Sequence, residues 1–247
     1  MTDERVPVDY LVEGAADWEL GPLIEAIDGP LEEQQSIWTF WRGHIGSSQV
    51  VVARTDWGPI NAVAATVTAI GAYQPRAIIC QGMAGAHDPD LNVGDIVVGA
   101  QTVDVSAYKS GPTPLGAGYA ISNNEPLAHR FRLNPQGKLA SFSGFQGDEK
   151  LMATALAGKN HRGRIVAGTI GSAYQYNRQL DLIQELRRLY STKCEDMESA
   201  FAAGAALALG VPFIAIRMIS NSEWNHPELD KSTGTACATF VRDLIRG

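Results

Sequence analysis

The chain has 247 residues, of which 45% are apolar and 19% charged, with a mean hydropathy of −0.08. These values are typical of a globular protein and exclude disordered and fibrous chains. Twenty Lys and Arg against 27 Asp and Glu give a formal net charge of −7, which argues against nucleic acid as a partner. We therefore expect a soluble protein that acts on a small molecule.

Short apolar runs alternate with helix-like patterns along most of the chain. The predicted strands are 8–13, 37–42, 48–54, 76–80, 95–98, 165–171 and 212–219. The predicted helices are 17–27, 61–71, 197–209 and 233–245. A turn at 43–47 joins the second and third strands, and the segment 110–118, rich in Pro and Gly, is predicted to be a surface loop. The alternation predicts an α/β fold of three layers around a largely parallel or mixed sheet.

Domain number and compartment follow from simple features. No repeat or linker interrupts the chain, so we expect one domain spanning 1–247. Three distant cysteines, Cys80, Cys194 and Cys237, without a CxxC pair, suit a reducing compartment. The segment from Met1 to Asp9 is polar and acidic, unlike a signal peptide. Since no apolar run approaches ~18 residues, we expect a cytoplasmic protein without a membrane partner.

Several common functional motifs are absent from the sequence. It contains no GxxxxGK[ST], no GxGxxG after a strand, no HExxH, no GxSxG and no EF-hand loop. The histidines occur in no metal-ligand spacing. We therefore predict no metal and no cofactor, and neither a P-loop nucleotide site nor a protease site.

Polar residues follow several predicted strands, at the edge where α/β sheets usually bind ligands. They are Glu19, the glycine-containing segment 81–85, the segment 174–175, the acids Glu195, Asp196 and Glu198, and finally Arg217 and Asn221. Each has a structural alternative: the acids could stabilise a helix N-terminus, the tyrosines could pack, and Asn221 could form a turn. Taken singly, none of these signals identifies a function.

In combination, five segments resemble a known family. They are EGAADWEL (13–20), QGMAGAHDPDLNVGDIVV (81–98), GTIGSAYQ (168–175), EDMESA (195–200) and VPFIAIRMISN (211–221). Their order and spacing resemble the purine nucleosidase and nucleoside phosphorylase superfamily, and most of all the methylthioadenosine/S-adenosylhomocysteine nucleosidases. The resemblance implies a single α/β/α domain with a central mixed sheet. It also implies an N-glycosyl hydrolase that releases the free base from a 5′-modified purine nucleoside.

The same resemblance implies roles for residues around the sugar. Glu19 matches the acid that activates the attacking water, and Glu198 matches the residue that binds the ribose hydroxyls. Met197 would lie against the ribose face, and Arg217 would orient the water and Glu198. This chemistry is reasonable because a carboxylate can take a proton from water and stabilise an oxocarbenium-like sugar.

Other matching positions lie around the base. Tyr174 stands where the family usually has a stacking Phe, and Gln175 would offer backbone bonds to the base edge. Met83, Ala84 and Gly85 belong to the segment whose glycines let the backbone approach a ligand. Tyr174 and Gln175 are thus the implied contacts to the base, and Met83, Ala84 and Gly85 are further predicted substrate-binding residues.

Asn221 departs from the nucleosidase pattern, which normally has an Asp that protonates the leaving purine. An amide cannot act as an acid, but its NH2 group can hydrogen-bond N7. Superfamily members that act on 6-oxopurines have Asn here, so Asn221 suggests inosine-like or futalosine-like substrates. Glu223 or a water is a candidate for the missing acid.

The acceptor is predicted to be water rather than phosphate. Phosphorylases of this superfamily hold phosphate with Arg residues, whereas the stretch 79–82 contains none, and Met83 replaces a Ser found in many relatives. Two alternatives stay open: a phosphate-dependent nucleoside phosphorylase, and a member that binds nucleosides without cleaving them. The resemblance also implies a homodimer, in which Tyr108, within the segment 104–111, lines the 5′ side of the partner's pocket.

Overall fold

The computed structural model describes residues 7–247; the first six residues of the segment from Met1 to Asp9 lie outside the described residues. The strands are β1 (Tyr10–Gly14), β2 (Asp28–Gln35), β3 (Trp38–Ile45), β4 (Ser48–Arg54), β5 (Ala77–Ala86), β6 (Ile96–Asp104), β7 (Tyr108–Ser110), β8 (Asn124–Pro126), β9 (His129–Phe131), β10 (Ala140–Phe142), β11 (Phe145–Gln146), β12 (Ile165–Ser172), β13 (Thr192–Asp196) and β14 (Phe213–Ser222). The helices are α1 (Gly21–Ile24), α2 (Pro59–Tyr73), α3 (Glu149–Ala157), α4 (Leu180–Tyr190), α5 (Ser199–Ala208) and α6 (Ser232–Arg246), with 3-10 turns at Asp17–Glu19 and Ile121–Asn123.

The central sheet is mixed, and part of it closes on itself. The pairings β5–β14, β14–β6, β6–β12, β12–β13 and β13–β5 form a ring of five strands. The β14–β6 and β13–β5 pairings are antiparallel, and the other three are parallel. From β5 the sheet continues through β1, β4, β3 and β2 as an open extension. The ring brings the ends of β5, β12, β13 and β14 together, which positions the candidate site.

Helices cover both faces of this sheet because the strand side chains alternate between two cores. In β4, Val51 and Ala53 join the core on the side of α2 and α5, whereas Val50 and Val52 join the core on the side of α1, α3 and α6. The small residues of α5 allow it to pack closely on α2. The predicted α/β fold with three layers and a mixed sheet is thereby confirmed.

Each predicted strand corresponds to an observed strand, but several boundaries and one helix were wrong. The helix predicted over 17–27 is a 3-10 turn followed by the four-residue α1. Pro22 lacks an N–H, and the side chain of Glu19 folds back onto the backbone of Ala15 and Ala16. The segment after residue 80, predicted to leave the sheet, continues β5 to Ala86, and Asn221 lies within β14 rather than in a turn.

Four longer elements were not predicted: β2, β13, α3 and α4. The strand β2 is polar and largely exposed, so its sequence lacks the apolar alternation of a half-buried strand. The strand β13 is one of the five ring strands, but three of its five residues are charged, so its sequence does not resemble that of a buried strand. No helix of residues 7–247 is both long and apolar enough to cross a bilayer.

Candidate active site

Glu19 is held by backbone N–H groups from two separate segments. The amides of Ala15 and Ala16 donate to its Oε2 at 2.9 and 3.1 Å, and the amide of Met83 donates to its Oε1 at 2.9 Å. The side chain of Gln81 donates to the Glu19 carbonyl at 2.6 Å and ties the same turn to β5. Burial raises the pKa of Glu19 above its ordinary value, while Arg217 and the three amides limit the rise. The result is a fixed carboxylate poised to accept a proton.

Arg217 is the buried cation of the site, and its side chain is almost completely enclosed. Its Nε lies 2.7 Å from Oδ2 of Asp196 and donates to Oγ of Ser199 at 3.1 Å. One terminal nitrogen lies 3.5 Å from Oε2 of Glu198, and the other donates to Sγ of Cys80 at 3.1 Å. A buried guanidinium is costly unless it is paired, and here every nitrogen has a partner.

Asp196 connects Arg217 to the strand ends. Its Oδ1 accepts from Oγ of Ser172 at 2.5 Å and from the amide of Ser199 at 3.2 Å. The hydroxyl of Ser199 donates to the other oxygen, Oδ2. Asp196 therefore caps the start of α5 and fixes Arg217 at the same time.

Glu198 is the second carboxylate facing this cation. Its Oε1 accepts from the amide of Gly58 at 2.9 Å, and Met197 beside it is half-buried. Burial raises the pKa of Glu198 to about 7, against the opposing charge of Arg217, and the negative charge of Asp196 adds to the rise. Glu19, Glu198 and Arg217, which are far apart in sequence, thus form one cluster.

Asn221 lies on β14, beside Gly85 and Ala84 of β5. Its Oδ1 lies 2.9 Å from Oγ of Ser220, and the same hydroxyl contacts the Ala84 carbonyl at 3.1 Å. The Asn221 side chain lies 3.5 to 3.7 Å from where a Cβ on Gly85 would stand. The Ser220 hydroxyl has only one proton for these two contacts, so it either donates to the Asn221 oxygen or donates to Ala84 and accepts from the Asn221 NH2 group.

Tyr174 and Gln175 belong to an irregular segment, 173–179, between β12 and α4, and both are exposed. The Tyr174 ring lies against Gly58, because a Cβ there would stand 2.7 Å from it. Two acids hold the segment: Glu195 accepts from the amide of Asn177 at 2.9 Å, and Glu223 pairs with Arg178 at 3.0 Å. Glu223, the candidate acid, is therefore engaged as an ion-pair partner.

Tyr108 is separate from these contacts within its own chain. It lies on the two-stranded ribbon of β7 and β8, is paired with Pro126, and its hydroxyl contacts Tyr119. Among the described residues, Tyr108 has no contact with Glu19, Glu198, Arg217 or Asn221.

Comparison with known proteins places the chain in a family. Residues 9–246 match the family model of the phosphorylase superfamily. The chain belongs to the phosphorylase superfamily. Among curated relatives, the 5′-methylthioadenosine/S-adenosylhomocysteine nucleosidase of Halalkalibacterium halodurans is 28% identical over 212 residues, covering 84% of this chain and 83% of that protein. The nucleosidase of the same name from a Marinomonas species is 26% identical over 246 residues, covering 95% and 96%.

Solved structures of superfamily members have the same fold. The Neisseria meningitidis 5′-methylthioadenosine/S-adenosylhomocysteine nucleosidase, in complex with methylthio-immucillin-A, has a TM-score of 0.77 and 23% identity, covering 96% of this chain and 98% of that one. A futalosine hydrolase mutant from Helicobacter pylori has a TM-score of 0.76 and 21% identity, covering 97% and 99%. The family resemblance predicted from the sequence is confirmed.

Sequence reasoning assigned no catalytic contact to Asp196 and overlooked Ser172, Ser199 and Glu13. Asp196 was named among the polar residues at the ligand edge, with a helix N-terminal acid as the alternative, a role it does have; its contact with Arg217 depends on the closure of the ring. The sequence does single out Glu13, because it is a carboxylate in an otherwise apolar strand. Such a residue is unusual unless it is paired or protonated.

Glu13 is buried beside Thr66 of α2. The Thr66 hydroxyl lies 2.7 Å from Oε1 of Glu13 and 2.7 Å from the Ala62 carbonyl, yet it has only one proton to donate. A protonated Glu13 that donates to Thr66 satisfies both contacts. Burial also raises the pKa of Glu13 to about 7, opposed by the bond from Thr66 and the charge of Arg217.

Replacing Glu13 tests this protonation. The unfolded carboxyl ionises near its ordinary pKa of 4.5, whereas the folded one stays protonated to about 7, so the free energy of unfolding should fall as the pH rises from about 5 to 7. The free energy of unfolding, measured by urea denaturation at pH 5, 6 and 7, should fall less for Glu13→Gln than for the wild type. Part of the fall should remain, because the pKa of Glu198 is raised as well. The exposed Glu25→Gln serves as control; equal falls in all three proteins would contradict a neutral Glu13.

Gly82 permits the close approach of Glu19 to Arg217. It has a φ of +152°, and a Cβ there would lie 2.6 Å from Oε1 of Glu19 and 2.7 Å from Nη1 of Arg217. We expect Gly82→Ala to lower the free energy of unfolding by about 1–3 kcal/mol through backbone strain and overpacking. Gly71→Ala, in α2 with nothing within 4 Å, should instead raise it by about 0.5–1 kcal/mol. Chemical denaturation measures the direction of both changes in the free energy of unfolding. A Gly82→Ala variant as stable as the wild type would refute the steric argument.

Proposed function

We propose that the chain is an N-glycosyl hydrolase that cleaves a 5′-modified purine nucleoside to the free base and sugar, like the methylthioadenosine/S-adenosylhomocysteine nucleosidases. The observation that carries the proposal is the carboxylate of Glu19, fixed by three backbone amides beside Arg217. The curated relatives named as such nucleosidases, each 26–28% identical, support the same activity.

In this mechanism Glu19 removes a proton from water as the water attacks C1′ of the sugar. Its raised pKa suits a group that must accept a proton near neutral pH. Glu198 accepts hydrogen bonds from the ribose 2′- and 3′-hydroxyls, and Met197 supports the sugar face. The negative charges of both carboxylates stabilise the oxocarbenium-like sugar that forms as the bond to the base breaks.

Water is favoured over phosphate as acceptor by the charge of the cluster. Arg217 is engaged by Asp196, Glu198 and Ser199, and no second Lys or Arg of residues 7–247 forms an ion pair with Glu19, Asp196 or Glu198. A phosphate dianion would meet several carboxylates without a free cation, which is electrostatically unfavourable. The phosphorylase alternative is therefore the weaker one.

The finer part of the proposal is a 6-oxopurine base. In this proposal Ser220 donates to the oxygen of Asn221, and the NH2 group of Asn221 donates to N7 and O6 of a bound base. Tyr174 stacks on the base, and the backbone of Gln175 and the segment 83–85 contact its edge. With Glu223 paired to Arg178, water is the remaining candidate to protonate the leaving base. Assembly as a cytoplasmic homodimer, with Tyr108 reaching the partner's pocket, completes the proposal.

Free-base release tests the reaction class. Inosine, guanosine, adenosine, methylthioadenosine, S-adenosylhomocysteine and futalosine are each supplied with and without phosphate. Phosphate-independent release is the expected result. Strict phosphate dependence would identify a phosphorylase, and binding without release would identify a non-catalytic member.

Glu19→Gln should lower kcat by at least about 100-fold while nucleoside binding is retained, because the amide cannot accept the proton. Asp17→Asn is the matched control, since that exposed carboxylate two residues earlier contacts only Arg54 among the described side chains. Steady-state kinetics and a binding titration separate the two effects. Substantial residual turnover by Glu19→Gln would remove its role as base.

Asn221→Asp should shift the preference towards 6-aminopurines. A carboxyl group can protonate N7 and accept from a 6-amino group, whereas the amide donates to a 6-oxo group. The ratio of kcat/KM for adenosine to that for inosine, or for their best 5′-modified forms, is expected to rise about tenfold or more. An unchanged ratio would mean that Asn221 does not select the base.

A further inference from the structure

The segment 173–179, which carries the proposed contacts to the base, is held by side chains rather than by backbone pairing. At its start, Ala173 donates to the carbonyl of Asp196 at 3.1 Å, where the ladder of β12 and β13 ends. In 174–178, no backbone group bonds to another backbone group of residues 7–247. The position of this stretch therefore depends on carboxylates that reach it from the neighbouring strands.

Glu195 of β13 is the main anchor of the segment. Its Oε1 accepts from the backbone amide of Asn177 at 2.9 Å, and its Oε2 accepts from the side-chain amide of Asn177 at 2.5 Å. A second carboxylate, that of Glu223, pairs with Arg178, but this arginine side chain is 62% exposed, and exposed ion pairs contribute little. One carboxylate thus holds both the backbone and the side chain of a residue in the middle of the segment.

His87 contacts the same carboxylate. Its side chain is only 1% exposed, with Nε2 3.0 Å from Oε2 of Glu195 and Nδ1 2.7 Å from the hydroxyl of Thr192. No other group of residues 7–247 pairs with this Nε2. A carboxylate that already binds two N–H groups offers only acceptors, which favours an imidazole with its proton on Nε2 and Thr192 as donor to Nδ1. The orientation of Glu195 is therefore fixed by a buried neighbour.

The anchor lies next to Asn221, another proposed contact to the base. Glu195 of β13 and Asn221 of β14 both pair with Gly85 of β5. A Cβ on Gly85 would stand 3.5 to 3.7 Å from the amide of Asn221 and 3.7 Å from Cγ of Glu195. The two side chains thus lie on the same face of the sheet, on either side of a residue without a side chain. The segment is fastened beside the proposed base site and not at a remote point.

Resting on the proposed function, we propose that Glu195 and His87 are positioning residues, which hold the segment 173–179 so that Tyr174 and Gln175 are in place before the base binds. Without the anchor, the segment would adopt several positions, and the affinity for the base would fall with the fraction of molecules in the competent one. Because such a loss weakens the binding of substrate and transition state alike, it raises KM and leaves kcat nearly unchanged.

Steady-state kinetics of Glu195→Gln with the best nucleoside substrate test the proposal. An amide has one acceptor atom instead of two, so one contact with Asn177 becomes a contact between two donors. Since hydrogen bonds to a charged group are strong ones, KM is expected to rise about tenfold or more, with kcat within about threefold of the wild type. Glu185→Gln is the matched control, because it removes a carboxylate that pairs with Arg188 on α4, and its KM should not change.

Further variants assign the effect to this network. His87→Gln retains an N–H near the position of Nε2, so its KM should stay close to the wild-type value, whereas His87→Leu should raise KM about threefold or more. Adding Asn177→Ala to Glu195→Gln should raise KM little further, because both changes remove the same contact. Asn177→Ala alone replaces Glu195→Gln if thermal unfolding shows that the latter is not folded.

A role in stability alone would reduce the amount of folded protein, and with it the apparent kcat, without raising KM. A folded Glu195→Gln variant with the wild-type KM would therefore overturn the inference, and so would one whose kcat falls as much as its kcat/KM. Either result would leave the nucleosidase proposal intact.

If the wild-type protein releases no base from any nucleoside, the proposed function fails, and calorimetry with adenine and hypoxanthine tests the anchor separately. Binding about tenfold weaker by Glu195→Gln than by the wild type would support the anchor. Equal binding by the two proteins, or no binding of either base by the wild type, would overturn it.

Discussion

The site depends on one buried cation. Arg217 is enclosed on β14 and balances Asp196 directly, with Glu198 and Glu19 close by. Carboxylates brought this close without a cation would repel one another in a medium of low dielectric. Removing the guanidinium would also leave Asp196 buried without its ionic partner, a loss that typically costs several kcal/mol. The guanidinium and the carboxylates of the cluster therefore depend on one another for stability.

The ring of strands brings these charges together. Asp196 ends β13, Arg217 lies in β14 and Gly82 lies in β5 between them in the sheet, although they are widely separated in the chain. Gly82 lacks the side chain that would fill the gap between Glu19 and Arg217. Glu13 and Cys80 continue this polar line on the neighbouring strands, and a protonated Glu13 avoids one more negative charge beside the cluster.

Local sequence patterns were sufficient to predict the fold class, the strands of the ring except β13, and the approximate ends of α2, α5 and α6. The family segments also selected Glu19, Glu198 and Arg217, which the structure brings near one another, and Asn221, which lies further along β14 beside Gly85. The contact of Asp196 with Arg217 and the bonds from Asn177 to Glu195 were not predictable in this way. They depend on register and closure between distant segments, and a single sequence does not encode those as a local period.

The two kinds of charge in this region are suited to different tasks. Arg217 is buried and fully paired, so a ligand cannot recruit it without breaking bonds that hold the cluster together. Lys231 is exposed, its Nζ lies over the face of Trp18, and no carboxylate among residues 7–247 forms an ion pair with it, so an anion can reach it without loss of such a pair. Exchanging an exposed cation costs little stability, whereas exchanging a buried one that is paired with carboxylates is strongly destabilising. For this reason the proposed reaction depends on the closed ring of strands, which holds Arg217 against Asp196 and Glu198.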